Sequence, residues 1–345
     1  MIKIIKELCL IGIVAAFFNA CSSPGNKQAE GTSQQPIQSD QQVTDKVVNE
    51  FNTKISADSS NAHLYYLRSK YYVRLKKLGL AKDDAERSIM LDSTNASYYI
   101  NLADIYFYRN ETRQTYDVLL KCLSLMPDNK EANFKMGELQ FYIKQYKQAI
   151  KYANKAYEID PKDLKSNYLL GMILKETGDT NKAVSFFRNC IDIDPNYFDV
   201  YDQLGYIEKA RNKPEALQYF NNALRINPEA ITSLYGRALC YQNKNDFDNA
   251  IKDYTTITQL EPSFIDAYFN MGYIHQVNLK MYREAIKYYD QSLAIDTMFV
   301  KAIYNKGYCF EQLGDIGNAK TAYQRCIDLE PTFDKARQSL KRVMR

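Results

Sequence analysis

Tryptophan is absent from this 345-residue chain, and histidine occurs only twice, as His63 and His275. Two such distant imidazoles supply neither a metal-ligand cluster nor the base of a nucleophilic pair, and each reads as an ordinary helix residue. Glycine is scarce, with 13 residues and no phosphate-cradling loop; a His-Glu-x-x-His run and a nucleophile elbow are missing as well. The seven cysteines form no Cys-x-x-Cys pair, which removes the common zinc and redox motifs. Excess charge of one sign is also lacking: 45 basic against 41 acidic residues leave +4, no electrostatic case for nucleic acid. Acid pairs such as Asp83–Asp84 and Asp192–Asp194 read as solvated faces. The reading is therefore of a chain with no catalytic residues, no metal and no cofactor.

What is plentiful is aromatic and periodic: 29 tyrosines and 16 phenylalanines. A small residue returns at an interval of almost always 34 positions, as Ser69, Ala103, Gly137, Gly171, Gly205, Ala238, Gly272 and Gly307. Thirty-four residues is the period of a helix-turn-helix unit in a helical solenoid, where each unit must stack on neighbours to bury its apolar face. Each small residue is followed by a Leu or Ile, from Leu91 and Leu125 to Ile295 and Leu329. Two residues later stands Pro127, Pro161, Pro195, Pro228, Pro262 or Pro331, with Ser93 and Thr297 in the two exceptions. Proline there ends a helix and starts a turn. In between, Ala81, Thr115, Ala149, Ala183, Ala216, Ala250, Ala285 and Ala319 open a second helix. Four residues on come Phe187, Phe220, Tyr254, Tyr289 and Tyr323, on the same helical face. The small residue is expected to let the two helices approach. A one-residue deletion before Ala216 and an insertion near Met281 are expected in the turns between helices.

This order of residues, clearest from Ser166 to Pro195, resembles the tetratricopeptide repeat. The resemblance covers about residues 60 to 331, in eight units. Tyr65, Tyr99, Tyr201 and Tyr268 stand where the family favours Trp, and Gly79 places the first turn unusually. The resemblance implies an all-α, right-handed superhelical solenoid of about eight units. Residues 43–59, with Val47 and Phe51 at the second-helix offsets, form an N-terminal half-repeat, and residues 332–345 form a capping helix. Lys341 takes the small-residue position there, so no ninth unit follows. Cys122, Cys190 and Cys326 share one repeat site and Cys240 and Cys309 another, and they read as small buried hydrophobes.

At the N-terminus, Lys3 and Lys6 precede an apolar run from Leu8 to Phe18, too short to stay in a bilayer, followed by Asn19, Ala20 and Cys21. The ending resembles a bacterial lipobox. That implies a signal peptide over residues 1–20 and acylation at Cys21, with a lipid anchor as the only membrane contact. Ordinary secretion with Cys21 free is the alternative. Residues 21–42, rich in Ser, Gln, Gly and Pro, read as a disordered tether. Ser22 after the cysteine, and no acidic run beyond it, imply the outer membrane and its periplasmic side.

In the family the first helices line the concave face, which implies partner contacts there. Three residues before the small position stand Tyr66, Phe134, Tyr168, Tyr235, Phe269 and Tyr304; one after it stand Tyr206, Tyr273 and Tyr308; two before it stand Asn101, Asn270 and Asn305. The set Phe269, Asn270, Tyr273, Tyr304, Asn305 and Tyr308 repeats in adjacent units and is the best candidate surface, with Tyr168, Tyr206 and Tyr235 beside it. Aromatic rings offer contact area at little entropic cost, and Asn can pair with a peptide backbone. The carboxylate clamp of some members is missing: the matching positions hold Ile100, Asp104, Lys135, Lys165 and Leu169. The expected function is a non-catalytic scaffold for protein or peptide partners of the cell envelope. A glycan or small molecule on the Tyr-rich face is the alternative.

Overall fold

The computed structural model describes the backbone from Asp40 to Arg345 and the side chains from Lys46 onward. The signal peptide, Cys21 and the tether as far as residue 39 lie outside the described residues. Residues 40–42, assigned above to the tether, instead belong to the first helix, α1 (Asp40–Ala57). Among the described residues there are eighteen α-helices and no strand.

The described residues divide into two compact units, one ending at Ile193 and the other running from Asp194 to Arg345. In the first, α1 precedes four hairpins: α2 (Ala62–Arg74) with α3 (Leu78–Leu91), α4 (Ala96–Tyr108) with α5 (Thr112–Leu125), α6 (Lys130–Tyr142) with α7 (Tyr146–Ile159), and α8 (Leu164–Glu176) with α9 (Thr180–Ile193). The second repeats the pattern: α10 (Phe198–Ala210) with α11 (Glu215–Ile226), α12 (Ile231–Asn243) with α13 (Phe247–Leu260), α14 (Ile265–Tyr273) with α15 (Tyr282–Ile295), α16 (Val300–Gln312) with α17 (Ile316–Leu329), then α18 (Asp334–Val343). Each unit by itself is the all-α stack of helical hairpins that the period implies.

The repeat positions explain the hairpins one bond at a time. Every second helix ends on its Leu or Ile marker. The residue after the marker is extended, with φ of −135° at Met126, −146° at Asp160 and −133° at Glu261, as a following proline requires. Asp92 and Asp296 keep that form without proline, because their Oδ1 atoms accept from the backbone N–H of Thr94 and Met298, both at 2.9 Å. Every first helix or its extension closes through one left-handed residue: Lys76, Asn110, Lys144, Gly178, Asn212, Asn245, Lys280 and Gly314. Only two of these are glycine. Lys76, not Gly79, makes the first turn; Gly79 lies inside α3 with open space around it.

Between the helices the repeat positions are almost wholly buried. The eight residues at the Ala position are exposed by 2 % or less, and Phe187, Phe220, Tyr254, Tyr289 and Tyr323 are fully buried. A Cβ on Gly171, Gly205, Gly272 or Gly307 would meet the ring of Phe187, Phe220, Tyr289 or Tyr323. The glycine therefore clears space for an aromatic ring. At Gly137, where Ala153 replaces the aromatic, the backbone of Ala153 itself approaches to 3.0 Å. Five cysteines, Cys122, Cys190, Cys240, Cys309 and Cys326, are free and buried.

Two further expectations are corrected. The inserted residue near Met281 is not absorbed by the turn alone: Ile274–Asn278 winds as a π-helix continuing α14, the form that holds one extra residue in a helix wall. Asp84 is not a solvated acid. It is buried and takes a bidentate pair from Arg68, at 2.7 Å to each oxygen, while Arg68 Nη1 donates to Asn52 on α1. Arg237, Asp253 and Asn221 repeat that arrangement at the same spacings in the second unit. Asn52 thus stands to its neighbours as a second-helix residue does.

Candidate partner-binding face

Each first helix carries its candidate residues at fixed offsets from the small residue, so they share a side of the hairpin. The three ring positions of the second unit turn out to be joints. Tyr235 lies between Tyr254 and Phe264 (6.0 and 5.4 Å), Phe269 between Tyr289 and Phe299 (5.8 and 5.2 Å), and Tyr304 between Tyr323 and Phe333 (5.6 and 5.2 Å). In each set the first-helix ring touches its own second helix and the start of the next hairpin. In the first unit Tyr168 is only 3 % exposed, with its ring 5.8 Å from Phe187. These four rings act in packing, and Tyr168 presents almost nothing to a partner.

The asparagines are engaged in the same joints. Asn270 Nδ2 donates to the hydroxyls of Tyr254 (3.2 Å) and Tyr235 (3.3 Å). Burial pushes the Tyr254 and Tyr289 hydroxyls far above the ordinary tyrosine value, so both stay protonated. Tyr254, Tyr289 and Tyr323 in turn donate to Gln242, Gln276 and Glu311 on their first helices or its extension.

In the second unit the position just after the small residue is more open. Tyr206 donates to the Thr232 carbonyl at 2.7 Å, which ties α10 to α12. Tyr308 is half-buried, 6.5 Å from the Tyr282 ring. Tyr273 is 39 % exposed, and of the nine nominated residues it alone is an exposed side chain. Of the candidate residues Tyr273 is thus exposed, Tyr206 and Tyr308 are half-buried beside it in the repeat, and the ring and asparagine positions before the small residue are engaged in the joints.

The first unit holds a cluster that no candidate above includes. Lys135 Nζ on α6 lies 2.9 Å from Asp104 Oδ1 on α4 and 3.7 Å from Glu138 Oε2, one turn away. Burial, the largest influence, raises Glu138 above the ordinary carboxylate value. For Lys135, burial works against the charge, but Asp104 and Glu138 outweigh it and hold the ammonium protonated. The signal was present in the sequence: Asp104 and Glu138 occupy the offset filled by Tyr206, Tyr273 and Tyr308 in the second unit.

His275 is buried, with Nδ1 2.8 Å from the Met271 carbonyl. Among the described residues no group of three His, Cys, Asp or Glu side chains could hold a metal ion, and no helix is long and apolar enough to cross a membrane.

Comparison with known proteins decides the family. The tetratricopeptide repeat profile matches residues 62–95, 130–163, 164–197, 231–264, 265–297 and 300–333, more than half of the chain. The chain belongs to the tetratricopeptide repeat family. The two stretches left between those matches fold into the same hairpins, α4–α5 and α10–α11, so the array has eight units. Among relatives, it is 25 % identical over 130 residues to the Hsp70-Hsp90 organizing protein of Triticum aestivum, 38 % of this chain and 22 % of that one. It is 31 % identical over 77 residues to Hsp70-Hsp90 organizing protein 3 of Arabidopsis thaliana, 22 % of this chain and 14 % of the relative. The matched stretches thus span less than a quarter of either relative's length. Among solved structures, it is similar to the C-terminal part of a tetratricopeptide repeat protein from Cytophaga hutchinsonii, with a TM-score of 0.61 and 18 % identity over 70 % of this chain and 99 % of that one. Cut9–Hcn1 of the APC/C gives 0.51 at 16 % identity, covering 87 % of this chain and 59 % of that one. Both likenesses concern the fold.

Proposed function

We propose that this tetratricopeptide array is a non-catalytic scaffold that binds protein or peptide segments along its first helices. The observation carrying this reading is Tyr273, a large aromatic side chain left 39 % exposed at the end of a first helix, while the rings three residues before the small position, Tyr235, Phe269 and Tyr304, are consumed by packing. An exposed aromatic anchor of this kind, with Tyr308 on the next first helix, suits a protein surface better than an enclosed ligand. Substituting both Tyr273 and Tyr308 by Ala is expected to weaken partner capture by in-cell crosslinking while leaving helicity unchanged. Capture at wild-type strength removes this patch, and saturable sugar binding with no protein neighbour overturns the reading.

The proposed setting is the bacterial cell envelope, with the acyl chains on Cys21 holding the array at the outer membrane on its periplasmic side. The support is the short basic and apolar leader ending in Phe-Asn-Ala-Cys and the polar segment after it. A Cys21→Ser variant is expected to move from the membrane fraction to the soluble fraction and to lose incorporation of a labelled fatty acid. Unchanged partitioning would exclude the anchor.

A further inference from the structure

We infer that the first-helix face of α4, α6 and α8 receives a basic side chain, Lys or Arg, of an extended peptide at the carboxylate pair Asp104 and Glu138. The inference deepens the proposed peptide binding and rests on it. In the triad the Lys135 ammonium lies 2.9 Å from one carboxylate and 3.7 Å from the other, so with both acids ionised the carboxylates outnumber the cation. Glu131 and Lys165, the next charges that act on Glu138, offset each other.

The second observation is the state of Glu138. The residue is 6 % exposed, and its Oε1 is buried with no hydrogen-bond partner. A carboxylate oxygen without a donor is costly in such a place, and the fold does not require it there. Met172 and Leu239 occupy the same repeat position in α8 and α12. An acid that burdens folding and lacks a local donor is the sort of group that a binding site retains.

The ligand chemistry follows from what is missing. A Lys ammonium or Arg guanidinium supplies both the absent donor and the absent positive charge. Asp104 is the outer member of the pair, its side chain 28 % exposed against 8 % for Glu138. A ligand ending in a carboxylate would instead meet two like charges. Asp104 and Lys135 lie at positions matching a carboxylate clamp, and the net charge here has the opposite sign.

The test uses a random library of displayed twelve-residue peptides, selected on the full chain and on Glu138→Gln and Asp104→Asn variants. Wild type is expected to select peptides sharing a Lys or Arg. Replacing that residue by norleucine in a synthetic copy should weaken binding about tenfold. Glu138→Gln should bind the two copies nearly equally, with a thermal midpoint no lower than wild type. Selected peptides with no shared basic residue overturn the inference and leave peptide binding standing, as does a wild-type lysine preference in Glu138→Gln. Recovery of no peptide overturns both.

Discussion

At the scale of single residues, the repeat shows which atoms matter by repeating them. A Cβ on Gly205 would lie 2.7 Å from the Phe220 ring, itself fully buried. Gly205→Leu is therefore expected to cost about 1–3 kcal/mol by overpacking, and an unchanged thermal midpoint would refute the close-contact argument. The ring as obstacle makes a sharper forecast: Phe220→Leu should cost less in a Gly205→Ala background than alone, a coupling that a double-mutant cycle reads directly. Ser292 is the reverse case. It occupies the site filled by Cys122, Cys190 and Cys326, yet its buried hydroxyl has no partner, whereas the equivalent Ser88 donates to the Ala85 carbonyl. Ser292→Ala should stabilise the chain by about 1 kcal/mol in denaturant unfolding. A loss of stability would mean the hydroxyl is satisfied in solution. Lys144 is a third such site. With φ at +61° it has the conformation that Gly178 and Gly314 adopt without a Cβ penalty, so Lys144→Gly should gain up to about 1 kcal/mol.

At the scale of elements, the terminal helix α18 is held by one ion pair with good geometry. Arg342 donates to both Glu311 oxygens, at 2.7 and 2.8 Å, and Tyr323 donates to the same carboxylate. The Arg342 hydrogen bonds, the largest influence, hold Glu311 below its ordinary value of 4.5. A carboxylate depressed in the folded state stabilises above its unfolded pKa, and that stability fades as pH falls through the folded value. The protection of α18 amides, exchange taken relative to the intrinsic rate at each pH, should therefore fall on acidification below about pH 4.5, and Arg342→Ala should remove most of that response. Because Arg342 is half exposed, the pair is worth no more than about 1 kcal/mol. Arg337, paired with an exposed Asp334, is the control and should change nothing. The π-turn at Ile274–Asn278 shows what element-level reading of sequence misses. A count of residues reveals an insertion, but only packing decides between a longer loop and a wider helix. Here Tyr289 bonds Gln276 and His275 stacks on Tyr288, which holds the extra residue in the helix wall.

At the scale of the whole molecule, the hairpin array was legible because 34-residue spacing, the buried Ala column and the helix-ending markers all say the same thing. The binding face was less so. Offsets of −3 and +1 place residues on one side of a first helix, but that side meets both solvent and the next hairpin. Ring positions such as Tyr304 went to the joint, whereas Tyr273 stayed outside. Charge composition likewise concealed Glu138, because a balanced total says nothing about one unpaired oxygen. The same stacking makes energy local: within each unit a hairpin leans only on its neighbours. Gly137→Leu tests this, since its obstacle is the Ala153 backbone and no side-chain rotation can relieve it. Amide exchange should rise most in α6 and α7, less in the flanking α5 and α8, and least in α2. Uniform acceleration across the first unit would show instead that its four hairpins unfold as one body, and that nearest-neighbour stacking does not govern this array.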